Sequence, residues 1–171
     1  MTNYFTLLEL EPSFEVNEAD LQRAYVQMQQ QYHPDRMIGK PDAERAAAIQ
    51  TSMDLNEAYE ALKSPLKRAQ HLLFLQGIHV NGERDTVQPS PDLLMETMEL
   101  RERLSEAKGE EALAALVKDI KQQSKDCSAR LAKAFAQDDF ETAAQLTMRL
   151  RYLGKSQEEA MMLQYQQKAA S

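Results

Sequence analysis

The residues of this 171-residue chain with the most chemistry to offer lie in QQQYHPDRMIGKPD, residues 29–42. There a polar, helix-forming run stops at His33-Pro34-Asp35, an imidazole and a carboxylate separated by one proline. A His–Asp pair serves as a general base when a nucleophile lies within hydrogen-bond reach, a third group orients the base and the site is concave. The side chains flanking a proline are expected to meet only with difficulty, which weighs against that use. A metal centre needs further ligands. The three histidines, His33, His71 and His79, show no i, i+4 spacing and there is a single cysteine, so neither a metal nor any other cofactor is expected. No glycine-rich phosphate loop is present. Two readings stay open from the residues themselves: a helix stop in an exposed loop, for which such punctuation is commonly used, and a surface that another molecule reads.

Composition narrows the partners. Apolar residues make up 43% and charged residues 27%, as in an ordinary globular protein able to bury one modest core or two small ones. The first dozen residues, MTNYFTLLELEP, have no basic start and no long apolar stretch, and no later run approaches the roughly 20 apolar residues of a membrane span. A cytoplasmic location is expected. Cys127 alone forms no internal disulfide and suits a reducing compartment. The net charge of -7 disfavours nonspecific attraction to nucleic acid or anionic lipid, so any partner is expected to be protein.

The elements that must position these residues read as helices throughout. Five glycines, no tryptophan and long stretches of 3.6-residue periodicity predict an all-α chain of about seven helices. A short one covers Tyr4 to Leu8. A second opens at Asn17, a capping residue with Asp20 three positions on, and ends at Pro34, which lacks the donor and clashes with the preceding turn. A third runs from Asp42 to Leu62. Ser64-Pro65 supplies an N-cap and a first-turn proline for the fourth, which Gly77 stops. Residues 78–89, IHVNGERDTVQP, carry turn formers and no period and are read as a linker between domains 1–77 and 90–171. Ser90-Pro91 repeats the start signal for a helix to about Ala107. After Gly109 a further helix bears Leu113, Leu116, Val117, Ile120, Cys127, Leu131 and Phe135 at heptad-like spacing, which makes Cys127 a small buried hydrophobe. Asp138 with Glu141 is a candidate capping box for a last helix from Phe140 toward Lys168. Short connections fold the last three helices into an antiparallel three-helix bundle.

The HPD tripeptide does not stand alone. Asn3-Tyr4-Phe5-Thr6-Leu7-Leu8-Glu9-Leu10, the helix ending Tyr32-His33-Pro34-Asp35, Leu55-Asn56-Glu57-Ala58-Tyr59-Glu60-Ala61-Leu62 and Ser64-Pro65-Leu66-Lys67-Arg68-Ala69 together resemble the J-domain of co-chaperones, in the family's order and spacing. With a three-helix segment bearing Leu93-Leu94-Met95-Glu96 and Glu99-Leu100-Arg101-Glu102 after it, the whole chain is similar to the HscB family, the J-type co-chaperones of iron-sulfur cluster assembly. The resemblance implies a non-enzymatic protein whose HPD loop and exposed second-helix face engage a specialised heat-shock-class ATPase chaperone and stimulate its ATP hydrolysis. Eukaryotic members can carry a cysteine-rich metal segment in front. This sequence starts at the J-domain, which fits a bacterial-type form.

Helix periodicity supports that geometry. Leu21, Tyr25, Met28 and Tyr32 fall on one stripe and are expected to be buried, leaving Arg23, Gln27 and Gln30 facing out beside His33, Pro34, Asp35 and Arg36. Family members commonly place several lysines or arginines on this face and a lysine after the HPD. Here there are Arg23, glutamines and Arg36, and an ordinary solvated face reads the same way.

In the second half, Leu93, Thr97, Leu100 and Leu104 lie within one arc, while Leu94, Met95 and Met98 fall roughly 100 to 200° away. Glu99 and Glu102 border the second group, giving an apolar patch with an acidic rim. On the last helix Phe140, Ala143, Leu150 and Met161 are expected to be buried, with Tyr152 projecting from nearly the opposite side. Such a patch is either covered, by the J-domain or by a wider core, or marks a binding surface. The resemblance implies the latter, because Leu94, Met95, Met98, Glu99 and Tyr152 match positions at which the HscB family holds the cluster scaffold protein. A general J-protein whose second domain binds unfolded clients is the alternative.

Overall fold

The computed structural model describes residues 2–171, which divide into two compact units that meet between Gln76 and Gly77. Among the described residues there are seven α-helices, one 3-10 turn and no strand.

The first unit holds α1 (Tyr4–Leu7), α2 (Glu18–Gln31), a 3-10 turn at Pro34–Met37, α3 (Asp42–Lys63) and α4 (Pro65–Phe74). Its helix starts follow from short polar side chains. Asn3 Oδ1 accepts from the N–H groups of Phe5 and Thr6, Asn17 Oδ1 from those of Ala19 and Asp20, and Ser64 Oγ from that of Lys67 ahead of Pro65. Each satisfies donors that have no partner inside the helix. Glu18 and Asp20 in the first turn of α2 also complement its positive end. Phe5, Leu8, Leu21, Leu55, Leu62 and Leu73 form the fully covered centre.

α2 and α3 make the hairpin that ends at the HPD turn, and their seam is more polar than periodicity implied. Leu21 is buried, but Tyr25, Met28 and Tyr32 are only half-buried. The reason is Gln29, which turns into the seam. Its Nε2 donates to Ser52 O at 3.0 Å and Asn56 Oδ1 at 2.9 Å, and its Oε1 accepts from the Ser52 hydroxyl at 2.7 Å. Tyr25 donates its hydroxyl to Asn56 Oδ1 and stacks on Tyr59, with ring centroids 4.4 Å apart.

His71 on α4 ties α1 to this core. It is buried, its ring stacks on Tyr4 at 4.2 Å, and its Nε2 accepts from the Tyr4 backbone N–H at 3.0 Å. Burial holds its pKa below the ordinary imidazole range. Protonation would also replace the accepting lone pair with a second donor facing that N–H. Because the folded value is depressed, the stability His71 contributes is complete above the unfolded value near 6.5 and is lost as pH falls through the folded value. Urea unfolding of the first unit between about pH 7.5 and pH 5 is therefore expected to show a falling midpoint. His71→Phe should lose the part of that slope below pH 6.5, so equal slopes for parent and variant would contradict the assignment.

The second unit contains α5 (Pro91–Glu106), α6 (Glu110–Ala136) and α7 (Phe140–Ala170). Ser90 Oγ caps α5 by accepting from Leu93 N–H, and Pro91 takes the first helical position. α6 and α7 pack antiparallel across a core of Leu113, Leu116, Ile120, Leu131, Ala143, Met148 and Leu153. Cys127 is buried among these residues, its Sγ–H donates to Leu146 O at 3.2 Å, and burial raises its thiol pKa to about 11. It is packing and not a reactive thiol. α5 lies along α7 in the same direction, as the ascending pairs Ser90–Gln145 and Glu96–Arg149 require.

The start and the buried stripe of α7 differ from expectation. The cap of α7 is Asp139, which accepts from Thr142 N–H at 3.1 Å, and not Asp138. Asp138 has φ 51°, the left-handed geometry that reverses the chain between α6 and α7, so capping passes to the next residue. Met161 is exposed and Phe140, at the start of α7, is only half-buried, whereas Leu153 and Ala160 are covered. The antiparallel register set by Cys127 and Leu146 brings Met161 opposite the first turn of α6, where Glu110, Glu111 and Ala112 are all exposed and little remains to cover it.

Residues 78–89 fold as an ordered loop against α7. Val80 is buried, and Thr86 N–H donates to His79 O at 2.9 Å while His79 N–H donates to Thr86 Oγ1 at 3.0 Å. Side chains and not periodicity hold this segment, so a helix or strand pattern could not have revealed it.

Candidate functional site

The HPD turn is built by its own residues. His33 is extended (φ -62°, ψ 140°) and caps the 3-10 turn, with Nδ1 accepting from Asp35 N–H at 3.2 Å and His33 O accepting from Arg36 N–H at 2.9 Å. Pro34 begins the turn, where its missing donor costs nothing. Contrary to the expectation that a proline keeps its neighbours apart, Asp35 Oδ2 comes to 3.5 Å from His33 Nδ1. The tight turn folds residue i+2 back toward residue i and makes this possible. Both side chains face outward, that of Asp35 being 84% exposed, so the carboxylate is presented and is not enclosed with a substrate. The arrangement is a preformed polar surface rather than a buried acid–base pair.

The rest of that face is where periodicity put it. Arg23, Gln27, Gln30 and Arg36 are exposed, and Arg23 pairs with Asp20 at 3.2 Å within its own helix. Sequence reasoning missed Val26, which is also exposed between Arg23 and Gln30 on the same face. An apolar residue at i+3 from Arg23, off the buried stripe, was the available signal.

The second candidate surface is on α5 and α7. Leu93, Leu100 and Leu104 are buried, while Leu94, Met95 and Met98 are 47%, 60% and 69% exposed, so the wider-core reading of these three fails. Glu99 and Glu102 are exposed beside them. Tyr152 is half-buried and does not project freely, because the Arg151 guanidinium lies 5.4 Å from its ring centroid. The ascending register of α5 and α7 puts Tyr152 in step with the turn containing Glu99 and Leu100. Two ion pairs that the sequence did not suggest hold α5 in place. Arg149 Nε meets Glu96 Oε2 at 2.9 Å and Arg103 Nη1 meets Asp119 Oδ2 at 2.7 Å. No group of three or more His, Cys, Asp or Glu among the described residues is arranged to hold a metal ion, and no described helix is long and apolar enough to cross a membrane.

Each half of the chain matches a known protein family. A family model described as DnaJ domain matches residues 3–71, and one described as HSCB C-terminal oligomerisation domain matches residues 89–161. The chain is 37% identical over 161 residues to a "Co-chaperone protein HscB homolog" of Aeromonas hydrophila, covering 92% of this chain and 93% of that protein. It is 35% identical over 156 residues to the human "Iron-sulfur cluster co-chaperone protein HscB", covering 91% of this chain and 66% of the human one. The crystal structure of human HscB aligns with TM-score 0.84 at 33% identity over 95% of this chain and 82% of that one. HscB from Vibrio cholerae aligns with TM-score 0.81 at 32% identity over 96% and 99%. An all-helical chain that joins a J-domain with its HPD turn to this particular helical unit belongs to the HscB family of co-chaperones.

Proposed function

We propose that the protein serves iron-sulfur cluster assembly in the cytoplasm as an adaptor with two working surfaces. His33, Pro34, Asp35 and Arg36, with Arg23, Gln27 and Gln30 on α2, engage a specialised heat-shock-class ATPase chaperone and stimulate its hydrolysis of ATP. Leu94, Met95, Met98, Glu99, Glu102 and Tyr152 hold the cluster scaffold protein and deliver it to that chaperone. The working boundaries are residues 1–77 for the J-domain, 78–89 for the connection and 90–171 for scaffold binding. The protein itself breaks no bond.

The observation that carries this reading is the exposure of Leu94, Met95 and Met98 on a helix whose other face is fully packed. A contiguous apolar patch rimmed by carboxylates gains free energy when a partner covers it, and the rim favours a partner with basic groups around an apolar centre. The HPD turn supplies the complementary device. Its carboxylate is presented outward on the 3-10 turn, available for a charge-assisted bond.

A second reading, a general J-protein for unfolded clients, draws on Met161, Met162 and Tyr165, which are exposed near the end of α7. Flexible methionines adapt to varied apolar segments. Calorimetry separates the two: the purified cluster scaffold protein should bind with a defined stoichiometry of one, and a permanently unfolded, alkylated client should bind weakly or not at all. Equal affinity for both would favour the general reading.

A further inference from the structure

We infer that Arg151 is a positioning residue for Tyr152, and that the loop of residues 79–86 is the clamp that holds Arg151 in place. This rests on the proposed part of Tyr152 in scaffold binding and adds to it residues outside the contact surface. Arg151 is unusual for an arginine on a helix of this unit, since its side chain is only 12% exposed. A guanidinium taken out of water needs partners, and the loop supplies them for the two terminal nitrogens, while Nε is buried without one. Nη1 donates to Val80 O at 2.8 Å, and Nη1 and Nη2 lie 3.3 and 3.4 Å from Asp85 Oδ2. Asp85 is itself fixed, because its Oδ1 accepts from Gly82 N–H at 2.6 Å, which aims the other oxygen at Arg151. The loop closes through the paired bonds between His79 and Thr86. Gly82 has φ 92°, and a Cβ there would come within 3.3 Å of Arg151 Nη1, so glycine is what lets the backbone turn this close to the guanidinium.

The other end of this chain of contacts is Tyr152, whose ring centroid lies 5.4 Å from the Arg151 guanidinium carbon. That is within cation–π range. A ring held before the partner arrives has less freedom to lose on binding. The loop thus sets the geometry of an aromatic contact that it does not touch.

The test is a double-mutant cycle on binding of the purified cluster scaffold protein, with Asp85→Asn, Tyr152→Leu and the pair measured by calorimetry on the full chain. Asp85→Asn should weaken binding about 5- to 30-fold when Tyr152 is present and by less than about twofold in the Tyr152→Leu background. Arg151→Lys keeps the charge but lacks the planar fork. It should give a smaller loss that also vanishes with Tyr152→Leu, and it serves the same cycle if Asp85→Asn lowers the melting temperature. Stimulation of the ATPase without scaffold should not change in Asp85→Asn or Arg151→Lys. Independent, multiplicative losses would overturn the inference while leaving the scaffold site standing. An unchanged affinity in Tyr152→Leu alone would remove Tyr152 from the site and the inference with it.

Discussion

Asp35→Asn is expected to reduce stimulation of the ATPase chaperone to near its basal rate while leaving the fold intact. The substitution keeps size and shape and removes only the charge. The backbone N–H of residue 35 still donates to His33 Nδ1, so the turn closes as before. The side chain is 84% exposed and packs against nothing that folding depends on. A surface change of this kind usually alters stability by no more than about 0.5 kcal/mol. At the interface the accounting differs. Losing one charge of a desolvated, hydrogen-bonded pair costs about 2–5 kcal/mol, which raises the half-stimulating concentration roughly 30- to 5000-fold. Steady-state ATP hydrolysis titrated with parent and variant measures this. Undiminished stimulation would take the HPD turn out of the mechanism, and a collapsed melting curve would show that Asp35 is structural.

Replacing Leu94, Met95 and Met98 together with alanine is expected to weaken scaffold binding by about 2–4 kcal/mol, or roughly 30- to 1000-fold. Full burial of each side chain would be worth about 1.5–3 kcal/mol, and partial burial with association costs reduces the sum. The folded protein should scarcely notice, since these three side chains are 47%, 60% and 69% exposed while Leu93, Leu100 and Leu104 carry the packing of α5. The variant should stimulate the ATPase as the parent does in the absence of scaffold and lose the additional stimulation that scaffold brings. Unchanged calorimetric affinity would move the general client-binding reading ahead.

The helices were legible because their starts depend on local chemistry. Asn17, Ser64-Pro65 and Ser90-Pro91 cap or open α2, α4 and α5 where residue type alone said they would. The outward face of Leu94, Met95 and Met98 was legible for a related reason: a helix cannot bury two arcs at once. What escaped was set by long-range partners. Gln29 enters the α2–α3 seam because Ser52 and Asn56 lie across from it, and no property of residues 18–31 announces that. Asp139 rather than Asp138 caps α7 because the turn needs a left-handed residue first. The loop of residues 79–86 had no period to read, being held by Arg151 from 66 to 71 positions away in sequence. The approach of His33 to Asp35 was misjudged because a proline that opens a turn brings its neighbours together.

The central claim is that one chain couples a chaperone-stimulating turn to a scaffold-holding face. Its most direct test is the hydrolysis rate of the partner ATPase chaperone measured with this protein alone, with the scaffold protein alone and with both. The two-surface account predicts stimulation by this protein alone and, with both present, a rate well above the sum of the separate effects. That excess should disappear in the Leu94, Met95 and Met98 alanine variant. A rate with both that equals the sum, or no response to this protein at any concentration, would contradict it.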